Sequence, residues 1–334
     1  MQKMKLIVAV LWSVFAASGA FDLFGESEKF SDLPSLIPVN FGPNYNHDAV
    51  SRSIASWKPG SGRNIWELSG LREGDIMDSA DKGRNVIIDP KNNWPNNTMV
   101  YRLMSGMTSK EKMVVKEAME LIMQGSCMKF RPYRHGDRDY VYIQYNDTGC
   151  WSLVGRQGGA QPVNLQRDAC FIPGPVAHEL LHAAGFEHQH SAPDRDDYVY
   201  INYTNIEEAD YDQFEKLSAN EYSEMGVGYD YDSLMHYSRS AFSKNGEDTI
   251  IPYEDVEIGQ QEYVSDKDYR KLNVKYNCFY DADDDSGAHH SEWHHEGTGG
   301  SSPHNSEHGN TGHNNGNNHA GGNANGGILT NMFG

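Results

Sequence analysis

Between Asn85 and Cys278 apolar positions recur with the periods of regular structure, and on either side of that stretch they do not. Thr98 to Leu103 reads as a strand. Thr108 with Glu111 forms a capping box for a helix running to about Gln124, and its period predicts Val114, Val115, Met119, Leu121 and Ile122 as buried. Lys129 to Tyr133, Tyr140 to Tyr145 with Val141, Ile143 and Tyr145 alternating, Trp151 to Gly155, and Pro162 to Leu165 follow as strands of a twisted, mainly antiparallel-edged sheet. Pro175 suits the first turn of a second helix. Beyond His190 the pattern is loop and turn as far as Ser233 to Tyr237. A last helix then starts at a Ser265 cap, with Tyr269, Leu272 and Tyr276 on one side, and ends near Cys278. The fold class this predicts is α+β.

The flanks read differently. Lys3 and Lys5 precede an apolar run from Leu6 to Ala17, and Ser18-Gly19-Ala20 offers a cleavage site, so residues 1–20 are expected to be a signal peptide. The run falls short of the ~20 residues a membrane span needs. Residues 21–84 are polar, broken by Pro34, Pro38, Pro43 and Pro59, and would on their own form a loosely folded leader. Lys82-Gly83-Arg84 is a site for a trypsin-like protease, or an ordinary basic turn. Residues 85–280 form the globular domain. From Asp281 to Gly334 there is no lysine or arginine, and Gly, Asn, Ser and eight of the fifteen histidines dominate. Such a tail cannot bury enough apolar surface to order itself, and a solvated low-complexity extension is the plain reading. His289, His290, His294 and His295 are close enough to share a divalent ion.

Length and charge narrow the picture. The 334 residues suggest about two domains, and a net charge of -19 argues against nucleic acid and anionic membranes as partners. In a secreted chain the four cysteines would form two disulfides, with three pairings open. Cys150 and Cys170 flank two short strands and are paired on that ground, which leaves Cys127 with Cys278. Asn96, Asn146 and Asn202 begin N-glycosylation sequons.

The chemistry lies in His178 to His190, which read H-E-L-L-H-A-A-G-F-E-H-Q-H. Two histidines four apart on a helix put both imidazoles on one face, with Cβ atoms ~5 to 6 Å apart, the reach of one zinc ion. Glu179 is turned ~100° from the first of them. It can therefore lie beside the metal without binding it and act as a general base towards water. In a continuous helix the third imidazole, on His188, would point ~240° away, so the helix must stop. Gly185 can take the left-handed conformation that ends it and turns the chain back. Three histidine ligands leave zinc a coordination position for catalysis.

With these motifs in view the chain resembles the astacin family of metzincin zinc endopeptidases, from about Asn85 to Cys278. Gly149-Cys150-Trp151-Ser152, Val154-Gly155-Arg156, the zinc motif, Asp194-Arg195-Asp196, Tyr198-Val199, Ile201-Asn202-Tyr203 and the Met-turn at Met235 occur in order. The resemblance implies a two-lobed catalytic domain with an active-site helix and one zinc ion held by His178, His182 and His188. It implies Glu179 as base, Tyr237 as oxyanion stabiliser, Met235 as hydrophobic floor, and a protein or peptide substrate. The family's disulfide pattern agrees with the pairing above.

Gly74-Asp75-Ile76 is similar to the family's prosegment motif, in which the aspartate caps the zinc. Counting back from Trp94 puts the mature start at Asn85, directly after Arg84. Three positions depart from the family. Arg72 stands where phenylalanine is usual, and Ala192 where arginine is common. Gln189 stands where a glutamate pairs with the new N-terminal ammonium. A secreted binding or matrix protein on an inactive peptidase scaffold is the rival reading, favoured by Gln189 and the His-rich tail, and opposed by the intact ligands and base.

Overall fold

The computed structural model describes residues 36–79, 89–219 and 222–278. The expected signal peptide, the cut site at Lys82 to Arg84, the start at Asn85 and the tail from 281 lie outside the described residues. Among those described, no helix is long and apolar enough to cross a membrane.

The described chain opens with β1 (Val39–Asn40) and helix α1 (His47–Ser56), and β2 (Asp78–Ser79) pairs back antiparallel on β1. Then come β3 (Thr98–Leu103), α2 (Ser109–Met123), β4 (Lys129–Pro132), β5 (Tyr140–Gln144), β6 (Cys150–Ser152), β7 (Ala160–Leu165) and α3 (Pro173–Ala183). A stretch of short 3-10 turns carries β8 (Val199–Ile201) and β9 (Ile250–Pro252), an antiparallel pair, and α4 (Asp266–Lys275) follows.

The main sheet has the order β4-β3-β5-β7-β6. Its inner pairings are parallel, and antiparallel pairing is confined to the edge strand β6. Parallel strands need a long crossover, and α2 supplies one between β3 and β4. Alternation sets the layers. Met99, Tyr101, Val141, Ile143, Val163 and Leu165 face α2 and α3 in the main core, whereas Val100, Tyr140, Tyr142 and Ala160 cluster on the other face. A separate cluster around Val199, Ile201, Phe214, Tyr229, Tyr237 and Ile250 forms the core of a second lobe.

The leader is where expectation and structure part. Asn46 caps α1 by accepting from Ala49 N at 3.0 Å, and Val50 and Ile54 on the buried face of α1, with Ile65 and Trp66, belong to the main core. Composition measures whether a segment can build a core of its own. This one cannot, and instead docks into the core of its neighbour.

Both disulfides pair as expected, Cys127 with Cys278 and Cys150 with Cys170. The capping box on α2 is present in both directions. Helix α3 starts at Pro173, two residues ahead of the proline that the sequence suggested.

Candidate active site

Helix α3 presents His178 and His182 with ring centroids 4.7 Å apart. The helix then ends as the spacing demanded: Gly185 takes φ +98°, its N–H donates to His182 O at 2.8 Å, and Phe186 N donates to Leu181 O at 3.1 Å. The chain turns back and sets the His188 ring 4.6 Å from that of His182. All three side chains are fully buried.

Each imidazole is oriented through its Nδ1. That of His178 donates to Leu234 O at 2.9 Å, that of His182 to Phe186 O at 2.7 Å, and that of His188 lies 2.9 Å from Glu73 Oε2. This second set of bonds fixes the tautomer and turns every Nε2 toward one point. The Asp75 carboxylate reaches that point from the leader. Its oxygens lie 3.0 Å from His178 Nε2, 3.5 Å from His182 Nε2 and 3.2 Å from His188 Nε2.

These four side chains fit a zinc ion. Nitrogen and oxygen ligands ~2.0 to 2.1 Å from a tetrahedral zinc are ~3.3 Å from one another, and the three N···O distances bracket that value. Asp75 Oδ1 and the Nε2 atoms of His182 and His188 are buried without a hydrogen-bond partner among the described residues, although they approach within contact distance. Their lone pairs converge instead of pairing.

The electrostatics also asks for a cation. Burial opposes charge on Asp75, but His188 and His182 together with the hydrogen bond to His178 hold its carboxyl well below the usual range. Burial lowers His178 to about 4. Burial also opposes charge on His188, but Asp75 and Glu73 raise it to about 10. Two carboxylates thus demand positive charge at the centre.

Glu179 is fully buried beside this cluster, and neither carboxyl oxygen has a hydrogen-bond partner among the described residues. Burial, with the Asp75 charge added, pushes its pKa well above the ordinary value. Tyr237 is equally buried. Its ring stacks on His190 at 3.6 Å and lies 4.8 Å from His188, and its hydroxyl has no hydrogen-bond partner among the described residues. Met235 is buried in a turn held by α4: Asp268 accepts from Ser233 Oγ at 2.7 Å and Leu234 N at 2.9 Å, and Ser233 Oγ accepts from Met235 N at 3.0 Å.

Trp66, Glu67 and Glu73 carried no sequence signal. Trp66 stacks on His178 at 4.1 Å, and Glu67 accepts from Ser238 N at 2.8 Å and Ser238 Oγ at 2.9 Å. Glu73 accepts from Ser191 Oγ at 2.8 Å besides its contact with His188. Arg72 approaches Glu73 at 3.2 Å, Asp78 at 3.2 Å and Glu187 at 3.6 Å. Gln189 is buried and used on both ends. Its amide donates to Glu224 at 2.8 Å and accepts from Lys271 Nζ at 2.6 Å, while its backbone N–H donates to Met235 O at 2.9 Å. The departure at Gln189 is thus matched by an internal ammonium. Asn96 and Asn146 are exposed, and Asn202 is half-buried with its side chain accepting from Thr204 Oγ1 at 2.6 Å.

Residues 86–277 match the model of the peptidase family described as Astacin. The chain belongs to the astacin family. It is 45% identical over 196 residues to zinc metalloproteinase nas-13 of Caenorhabditis elegans, covering 58% of this chain and 43% of that protein. Zinc metalloproteinase nas-4 of the same organism is 40% identical over 225 residues, covering 63% of this chain and 70% of its own length. Among solved structures, high choriolytic enzyme 1, a hatching enzyme zinc-protease from Oryzias latipes, superposes with a TM-score of 0.52 at 36% identity, covering 56% of this chain and 93% of that one. The chain spans less than half the length of some curated relatives, 43% and 44% for nas-13 and nas-14. Astacins are zinc peptidases, and His178, His182 and His188 with Asp75 form a group that could hold such an ion; the two lobes are those of a metzincin domain.

Proposed function

We propose that this chain is a secreted zinc endopeptidase, kept latent by its leader and released when a trypsin-like protease cuts after Arg84. The observation that carries the reading is the Asp75 carboxylate among the three imidazoles, with Glu179 buried and unpaired beside them. His178, His182 and His188 would hold zinc, and in the latent chain Asp75 would take the remaining position. Zinc supplies a Lewis acid there, which acidifies water and polarises the scissile carbonyl.

The protein's own groups do the rest. Glu179 takes the proton of the attacking water and passes it to the leaving amine. The Tyr237 hydroxyl has no competing partner among the described residues and donates to the oxyanion as charge develops. Two disulfides suit an oxidising compartment, and exposed Asn96 and Asn146 suit glycosylation. Residues 1–20 would be removed as signal peptide, 21–84 as prosegment.

Cleavage of casein by the trypsin-processed, zinc-loaded chain tests this. Parent activity should vanish with chelator, and Glu179→Gln should retain zinc while losing at least ~10³-fold in kcat. Chelator-insensitive cleavage, or none at all from zinc-loaded processed protein, would favour a binding protein on a peptidase scaffold.

A further inference from the structure

The leader does more than place Asp75. From Asp75 to Met77 it adds to the open edge of β6: Ser152 N donates to Asp75 O at 3.1 Å, and Met77 N donates to Ser152 O at 2.8 Å. An extended peptide adds to a sheet edge in this way. Side chains flanking Asp75 therefore stand where side chains flanking a scissile bond would stand.

Just ahead of them, in the tight turn that Leu71 and Gly74 close, Arg72 lies opposite Ile76, whose N–H donates to Arg72 O at 2.9 Å. Its guanidinium is surrounded by three carboxylates, of which Glu73 and Asp78 belong to the leader and Glu187 does not. Glu187 immediately precedes the third ligand, His188. Its side chain is 2% exposed, and among the described residues its Oε2 has no hydrogen bond, with the Arg72 guanidinium 3.6 Å away. Asp212, Glu215 and Lys216 line a pocket with Arg72, Glu73 and Asp78, and Lys216 bonds Asp196 at 2.6 Å.

We propose that Glu187 is the floor of a substrate subsite for a basic side chain, which Arg72 fills in the latent chain. The proposal rests on the reading of residues 36–79 as a removable lid over a peptidase cleft. When the leader goes, Glu73 and Asp78 leave with it and Glu187 stays. A buried carboxylate without a partner carries the whole cost of its desolvation. A guanidinium or ammonium from substrate removes that cost, and arginine does so with a planar fork that matches a carboxylate. Arg72, a departure from the family's usual phenylalanine, and Glu187 thus form one matched pair.

The test uses the processed, zinc-loaded full chain and pairs of fluorogenic peptides that differ by arginine or citrulline at each position around the scissile bond. At one position the parent should favour arginine by about tenfold or more in kcat/KM. Glu187→Gln should bring that ratio to about one, and the ratio is read within one variant, so a general loss of activity does not imitate it. A parent ratio near one at every position, or a ratio unchanged in Glu187→Gln, overturns the proposal. If the parent cleaves no peptide, the peptidase reading fails separately. Calorimetry of a Leu71 to Met77 peptide, with arginine or citrulline at the Arg72 position, then decides the subsite: tighter binding of the arginine form upholds it and equal binding refutes it.

Discussion

At the scale of single residues, the proposed latency would depend on a carboxylate delivered by a glycine. Gly74 takes φ +83°, and a Cβ there would come within 2.8 Å of Glu67 Cα and 3.2 Å of Trp66 O. The left-handed conformation alone costs a non-glycine residue ~1 to 2 kcal/mol, and here backbone also blocks the space. Asp75→Ala and Gly74→Ala are therefore both expected to make the unprocessed chain leaky, the first by deleting the ligand and the second by displacing it. Residual cleavage of a fluorogenic peptide before any processing measures this, and latency equal to the parent's in Asp75→Ala would remove Asp75 from the lock. The sequence offered Asp75 only through a resemblance. Glu73, which orients His188 from the same segment, had no signal at all, because a glutamate in a polar leader reads like any solvated one.

At the scale of elements, the periodic part of the chain was legible and the docked part was not. Helix α2 lies between its predicted caps, with one change on its buried face: Ala118 is buried and Leu121 only partly so. At 100° per residue, positions 114, 118 and 122 share a stripe with 115 and 119, and 121 falls at its edge. The leader has no such stripe of its own except in α1, and its buried residues are defined by the surface they meet. Glu67 is the clearest of these. It is buried against Ser238, the residue after Tyr237, and burial raises its pKa from 4.5 to about 7, although the Ser238 N–H and hydroxyl and the Arg63 charge pull it down. Its charge in turn opposes ionisation of Tyr237. A carboxyl whose docked pKa lies above its free value contributes fully below the free pKa, and that contribution is lost as pH rises through the docked one. Leader docking should thus weaken between pH 4.5 and about 7. Glu67→Gln removes the titration, so its thermal midpoint relative to the parent should climb as pH rises across that window. A constant offset would show that Glu67 does not ionise there.

At the scale of the whole molecule, two cores meet at the third ligand, and a buried ion pair fastens them. Lys271 lies on α4, whose Leu272 belongs to the main core, while Glu224 lies between Tyr222 and Tyr229 of the second lobe. Lys271 Nζ is 2.5 Å from Glu224 Oε2, and Gln189 bridges the two beside His188. An amide serves such a bridge because it accepts from the ammonium and donates to the carboxylate at once. Breaking a buried pair from one side leaves the other charge stranded and costs ~3 to 5 kcal/mol, whereas removing both can be nearly neutral. Glu224 keeps 15% of its side chain exposed, which places the expected cost at the lower end of that range. Lys271→Met should therefore lower stability by ~3 kcal/mol and weaken zinc retention through the Gln189 to Met235 link. Adding Glu224→Gln to it should recover most of the loss. Denaturant midpoints and zinc release measured on both variants decide the matter: a double variant no more stable than Lys271→Met would mean that the pair does not hold the lobes together at the metal.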